Sequence, residues 1–281
     1  MIKELIYSHF DLQRQNKEKR EINIDKINFA PSYIDKCKRQ IFYQKRNEPQ
    51  SNPIEIHSYI KFAMGDSVHL SLQNILKEIG IYKEGEEFKE AEMFGLNWLY
   101  RIDGLLELNN NKFIIEIKSV YSSGYNSIEH EAKREHELQL LMYMLFEKIE
   151  FGIILYIGRD NGFIVEYNYH IEALKEKHKD FILNKAKELK LLQNQIENNF
   201  LPNRDYNVVI KNMSAGKIQS DIIDGVNHHN LSFEFQKDSI KYKSDWQCLY
   251  CSWKNTCWSK ELEEIKNNDF FINNKFIKEI K

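Results

Sequence analysis

LNWLYRIDGLLELNNNKFIIEIKSV, residues 96–120, is the stretch on which the reading of this chain turns. Leu96 to Leu106 and Lys112 to Val120 are each rich in apolar and β-branched residues, and Asn109-Asn110-Asn111 between them is turn chemistry, so the spacing predicts two strands joined as a hairpin. Within the second strand, Glu116 and Lys118 are two apart and share a face. Asp103, on the first strand, is carried beside them by the hairpin. Phe113-Ile114-Ile115 precedes Glu116, so the charged residues end a strand too apolar for a casual surface position. A Glu-x-Lys pair on a strand is by itself often just a solvated ion pair. Two carboxylates converging beside a buried strand repel each other unless a cation lies between them. A hard divalent ion such as Mg²⁺ fills that role, and a neighbouring lysine supplies positive charge where a phosphoryl transition state needs it.

Outward from this stretch the pattern alternates helices and strands. Pro31 stands at a plausible helix start, with a helix expected over Ser32 to Gln44. His57 to Ile79 carries Ile60, Met64, Val68, Leu72, Ile75, Leu76 and Ile79 at helical spacing and is stopped by Gly80. A helix is expected from about Ile128 to Lys148, then a hairpin of Phe151–Ile157 and Phe163–Tyr169 turning at Asn161-Gly162, then a long helix from Ile171 to about Asn198. Residues 203–245 are polar, with β-prone pieces at Tyr206–Ile210 and Leu231–Phe235, and read as an insertion or a substrate-contacting lobe. This order predicts an α/β fold with a mixed central sheet flanked by helices. The chain is expected to form a single domain over 1–281, with its core at 30–200.

The 281 residues are 42% apolar and 13% aromatic, enough for a sizeable core and against disorder. A net charge of −2 exerts no global pull on nucleic acid, so any such binding needs a local basic patch. The N-terminus has no apolar run of signal-peptide length, and Phe151–Ile157 falls far short of the ~20 residues that span a bilayer. The protein is therefore expected to be soluble, cytoplasmic and without a membrane partner. In a reducing compartment, four cysteines read first as metal or cluster ligands. Cys248-Leu-Tyr-Cys251 followed by Cys257 gives three clustered thiols, and Cys37 is the one cysteine left to complete a four-thiolate site. Such a site would clip the N- and C-terminal segments together. Spacing alone leaves zinc and a four-iron four-sulfur cluster both open.

Asp103 followed by Glu116-Ile117-Lys118 resembles the signature of the PD-(D/E)xK nucleases, with Ile102 in place of the proline. Two further segments resemble the RecB-like branch: Gly65-Asp66-Ser67-Val68-His69, similar to its helical Gly-x-x-x-His motif, and Gln139-Leu140-Leu141-Met142-Tyr143, similar to its Gln-x-x-x-Tyr motif. Taken alone, His69 reads better as a core histidine, and Gln139 with Tyr143 as two neighbours on one helix face. The resemblance implies a restriction-endonuclease-like fold, Asp103, Glu116, Lys118, Gln139 and Tyr143 as catalytic residues, and His69, Asp103, Glu116 and the Ile117 backbone carbonyl as ligands of Mg²⁺ or Mn²⁺. An isolated N-terminal cysteine and a C-terminal C-x2-C-x5-C bracketing such a core resemble the iron–sulfur nucleases, among them AddB-type domains and CRISPR-adaptation exonucleases. That implies a 4Fe–4S cluster at Cys37, Cys248, Cys251 and Cys257, with zinc as the alternative.

The function expected is a metal-dependent exonuclease on single-stranded DNA ends or flaps, resembling CRISPR-associated and phage-encoded versions and working with recombination, replication or CRISPR-adaptation partners. A non-catalytic DNA-binding or scaffold subunit and a zinc-stabilised RNA-processing module are the competing readings. Lys38, Arg39, Tyr43, Lys133 and Arg134 are the candidate DNA contacts, although for any one of them a solvated basic face is the blander account. No G-x-x-x-x-G-K-[ST] loop accompanies these motifs, so no helicase is expected in this chain.

Overall fold

The computed structural model describes residues 2–18, 26–206, 213–214, 233–236, 239–242, 246–249 and 251–257. They fall into two compact units. One is drawn from Met1–Lys36 and Glu55–Asn199, the other from Cys37–Ile54 and Phe200–Lys281.

The first unit opens with helix α1 (Ile2–Glu18), which packs on the long helix α3 (Ile56–Glu78), Tyr7 meeting His57 edge-on at 5.5 Å. Its centre is a five-stranded sheet of β2 (Tyr82–Glu84), β5 (Gly104–Leu108), β6 (Asn111–Val120), β7 (Phe151–Gly158) and β8 (Ile164–His170), in that order. The β5–β6 hairpin turns at Asn109 and Asn110, both at positive φ (52° and 64°), a conformation asparagine tolerates better than most residues. β6 runs parallel to β7, a pairing that needs a crossover, and α4 (Arg134–Glu147) supplies it. α5 (Ile171–Glu197) follows the β7–β8 hairpin and packs on α4.

β6 is buried on both faces, with Ile114, Ile115, Glu116 and Ile117 all at 2% exposure or less. One face, Ile115 and Ile117, packs with Leu72, Val68 and Leu76 of α3 and with Leu106. The apolar face expected on α3 is thus only partly used: Met64, Ile75 and Ile79 remain more than half exposed.

Three expected elements differ. Leu96–Leu106 is two strands, not one. β4 (Leu96–Tyr100) belongs to a second sheet, between β1 (Asn28–Phe29) and β3 (Lys89–Met93), and the chain changes sheets over residues 101–103. The alternation conceals this: Leu96, Trp98, Tyr100, Ile102 and Leu106 are all buried, so the in-out phase runs unbroken while the hydrogen-bonding partner changes from β3 to β6. Ile128 precedes α4 instead of starting it: the Tyr167 hydroxyl donates to its carbonyl, and residues 122–127 before it form a 3-10 turn. Ser32–Gln44 divides into a 3-10 turn at Pro31–Tyr33 and α2 (Lys38–Lys45), with Cys37 at the N-cap.

α2 lies in the second unit, which also holds an antiparallel sheet of β9 (Met213–Ser214), β10 (Phe233–Gln236) and β11 (Ser239–Tyr242) and two single-turn helices, Trp246–Leu249 and Lys254–Cys257. The strand expected at Leu231–Phe235 is met at Phe233; most of the piece expected at Tyr206–Ile210 lies outside the described residues. No helix among the described residues is long and apolar enough to cross a membrane.

Candidate active site

Asp103 stands in the bend between β4 and β5, one residue before the strand on which it was expected. β5 pairs Gly104 with Ile115, so beyond Ile115 the edge of β6 is open, and Asp103 fills it: its Oδ2 accepts the Ile117 N–H at 2.7 Å. A strand residue's N–H and C=O point to the same side, so the Ile117 carbonyl faces that edge too. Gly104 lets Tyr82 pack directly on the chain here, since a Cβ would fall 2.6 Å from the Tyr82 ring. The Tyr82 hydroxyl and the Gln73 amide both donate to the Asp103 carbonyl, at 3.2 and 2.8 Å, and fix the main chain beneath the carboxylate.

Glu116 and Lys118 project from the same face of β6, and the ammonium contacts Glu116 Oε1 directly. Lys118 Nζ also donates to Gln139 Oε1 at 3.2 Å, and Gln139 Nε2 donates to the Tyr143 hydroxyl at 2.8 Å. The Gln-x-x-x-Tyr pair therefore reaches the lysine through a chain of hydrogen bonds. His69 Nδ1 stands 3.7 Å from Asp103 Oδ1. These residues line one open cleft, walled also by Pro31, Ser32, Phe88 and Leu99.

Burial pushes the Glu116 carboxyl up to about 7, against the opposing pull of Lys118 and with a further push from Asp103. Burial works against charge on Lys118 as well, but Glu116 and Asp103 outweigh it and hold its pKa above the usual lysine value. His69 behaves likewise: desolvation lowers it, and the two carboxylates raise it further. Tyr143 is kept protonated by burial and by the Glu116 charge.

One atom is left over. Glu116 Oε2 is buried and accepts no hydrogen bond, an expensive position for a carboxylate oxygen. Among the described residues no three His, Cys, Asp or Glu side chains form a ready-made metal-ligand group. The donor set nevertheless suits a hard divalent ion: Glu116 Oε2, the Asp103 carboxylate and the Ile117 carbonyl are oxygens converging on one edge, with an imidazole beside them.

Of the expected DNA contacts in this unit, the Arg134 guanidinium is bound to both Asp35 oxygens, at 3.0 and 3.1 Å, and lies over the Phe181 ring. The Lys133 main-chain N–H is given to the Tyr156 hydroxyl. Gln73, Tyr82 and Phe88, which shape the site, lack any motif; only the polar Gln73 at an inward helical position was available as a signal.

In the second unit, Cys37, Cys248, Cys251 and Cys257 all line one small pocket, with Arg39, Tyr43, Arg204 and Lys254. The segments carrying them are tied by Asn52 donating to the Ser252 and Cys251 carbonyls, by Trp253 donating to the Glu48 carbonyl, and by Tyr43 stacked on Trp253. Arg39 donates to the Pro202 carbonyl and to Cys257 Sγ, at 2.8 and 3.4 Å. Lys38 is paired with Asp205, which also caps the first turn of α2. Burial raises the Cys251 thiol to about 11, with Cys37 and Cys257 adding to the shift. The four thiols line the same space, with arginine N–H groups beside them, but they do not stand as a ready-made metal-ligand group.

No family profile matches the sequence, and no curated protein matches it. Among solved structures, the crystal structure of SSO0001 is similar over 69% of this chain and 87% of its own, at 22% identity and a TM-score of 0.48. The alkaline exonuclease LHK-Exo from Laribacter hongkongensis is similar over 61% of this chain and 92% of its own, at 13% identity and a TM-score of 0.41. Its complex with dAMP gives 14% identity and a TM-score of 0.43 over the same shares.

Proposed function

We propose that this chain is a metal-dependent DNA nuclease whose centre is Asp103, Glu116 and Lys118. The observation that carries the reading is the hydrogen bond from Ile117 N–H to Asp103, which sets one carboxylate beside the unpartnered Oε2 of the other. Asp103, Glu116, His69 and the Ile117 carbonyl are the residues that would hold Mg²⁺ or Mn²⁺. Once bound, the ion supplies Lewis acidity for phosphodiester hydrolysis, in which water oxygen adds to phosphorus, the P–O bond to the leaving nucleotide breaks, and a proton passes to the departing oxygen. Lys118 places positive charge against the non-bridging oxygens as they gain negative charge. Gln139 holds the lysine through its Oε1, and Tyr143 holds Gln139, so the ammonium is positioned before substrate arrives. The low exposure of Glu116 strengthens each of these interactions by excluding water.

Cys37, Cys248, Cys251 and Cys257 would hold a 4Fe–4S cluster that braces the second unit, with the Arg39 and Arg204 guanidiniums offsetting its negative charge. The substrate favoured is single-stranded DNA. End-labelled single strands and blunt duplexes, incubated with and without Mg²⁺ or Mn²⁺, test the central reading. Ion-dependent loss of nucleotides from single strands is expected; DNA left intact under every ion condition would overturn it.

A further inference from the structure

The cleft wall facing Asp103 carries groups that the hydrolytic chemistry leaves unused. Phe88, immediately before β3, is 70% exposed. The Arg101 guanidinium lies over its ring, 5.5 Å from the centroid. Arg101 Nη1 is held 2.9 Å from Glu86 Oε2, and Glu86 Oε1 accepts from Gln73 Nε2 at 2.7 Å. That same buried Nε2 donates to the Asp103 carbonyl. A continuous path therefore runs from the exposed phenyl ring through Arg101, Glu86 and Gln73 to the main chain of the metal-site aspartate. Leu99, 37% exposed, extends the apolar part of the same wall.

A single exposed phenylalanine is ordinary on a protein surface. Here three facts coincide: the ring lines the cleft that holds Asp103, Glu116 and Lys118, a cation covers it, and an ion pair anchored on a buried amide fixes that cation. An aromatic face beside a guanidinium is a surface on which any nucleobase stacks, because every base has a π-face and the neighbouring charge attracts the backbone. Bases inside a duplex already stack on each other and offer no face, so such a surface selects unpaired ends.

We infer that Phe88 and Arg101 form a stacking platform for an unpaired nucleobase at the wall of the catalytic cleft, and that Gln73 keeps platform and Asp103 in register. This rests on the nuclease reading and adds to it the feature that sorts single strands from duplex.

The test uses the full-length chain carrying Lys118→Ala, so that DNA is bound but not consumed, with a single-stranded oligonucleotide bearing 2-aminopurine near its end. Binding is followed by anisotropy and stacking by quenching of 2-aminopurine. Phe88→Leu, which keeps an apolar side chain, is expected to weaken single-strand binding about tenfold and to remove the quenching; Phe88→Trp restores both. Arg101→Gln gives a smaller loss, and blunt-duplex affinity stays within about twofold throughout. Unchanged single-strand affinity and quenching in Phe88→Leu would overturn the platform, as would an equal loss on single strands and duplex. A Lys118→Ala parent that binds no DNA, beside a wild-type chain that cleaves none, would overturn the nuclease reading and the platform with it. Cleavage by wild type alongside an indifferent Phe88→Leu would remove the platform alone.

Discussion

Gly65 on α3 approaches Ser119 on β6 so closely that a Cβ built on the glycine would stand 3.2 Å from the Ser119 hydroxyl. His69 lies one helical turn further along, 3.7 Å from Asp103, so a side chain at position 65 is expected to move the imidazole away from the carboxylates. Gly65→Val should push α3 outward, lowering stability by about 1–3 kcal/mol as overpacking does and activity by at least about tenfold. Denaturant unfolding and initial rates measure the two effects. Adding Ser119→Ala should recover part of each; a double variant no better than the single would show that the contact does not set the spacing.

Replacing the reacting groups should separate folding from chemistry. Glu116→Ala and Lys118→Ala are each expected to fold, by circular dichroism and size exclusion, and to lose at least about a hundredfold in cleavage rate, the scale of a transition-state charge partner. Full activity in either purified variant would remove the assignment.

His69→Ala should act on the ion more than on the DNA. The metal concentration for half-maximal rate is expected to rise about tenfold or more, with single-strand affinity in chelator nearly unchanged. An identical metal titration would return His69 to a packing role.

The pH dependence of stability follows from Glu116. In metal-free protein its carboxyl is raised by burial to about 7, from an ordinary value of about 4.5. The folded state thus keeps a proton that the unfolded chain releases; the stabilisation is complete below about pH 4.5 and is lost as pH rises through 7. Glu116→Gln is neutral throughout. Its melting temperature in chelator should therefore gain on wild type between about pH 5.5 and pH 8. Mg²⁺ should stabilise wild type more at the upper pH, where no proton competes for the site. A difference between variant and wild type that stays constant with pH would contradict the burial of a titrating group.

For the cysteines, anaerobically purified protein should be brown and hold about four irons. Cys37→Ala should lose the colour and lower stability while Asp103, Glu116 and Lys118 stay in place. Stoichiometric zinc without visible absorbance would replace the cluster by a zinc site. A colourless, metal-free wild type would dismiss both.

How much of this was legible in the sequence depends on the range of the interactions involved. Periodicity located α3 and α5 to within a residue or so at each end and the β7–β8 hairpin with its Asn-Gly turn, because these are set locally. It could not show that the strand ending at Tyr100 and the one beginning at Gly104 belong to different sheets, since burial keeps the same phase through Ile102. α1 was not expected, although Ile2, Leu5, Ile6 and Phe10 recur in it at helical spacing. That Glu116 shares a strand face with Lys118, and Gln139 a helix face with Tyr143, was legible because strand and helix periods set it; that the two pairs belong together came from the resemblance alone. Phe88, Gln73 and Glu86 were not found, because their relation to Asp103 is made by contacts between elements far apart in the chain.

The Ile117 amide hydrogen is bonded to a carboxylate and not to a peptide carbonyl. An amide proton so placed is deshielded in proportion to the negative charge on its acceptor, and its ¹⁵N–¹H resonance reports that charge directly. A divalent ion that draws electron density from Asp103 should move that signal upfield, while the β6–β7 ladder amides other than Lys118, whose N–H shares a peptide group with the Ile117 carbonyl, keep their positions. If Asp103 holds the ion as proposed, that resonance is a gauge of metal occupancy, readable by titration in the absence of any substrate.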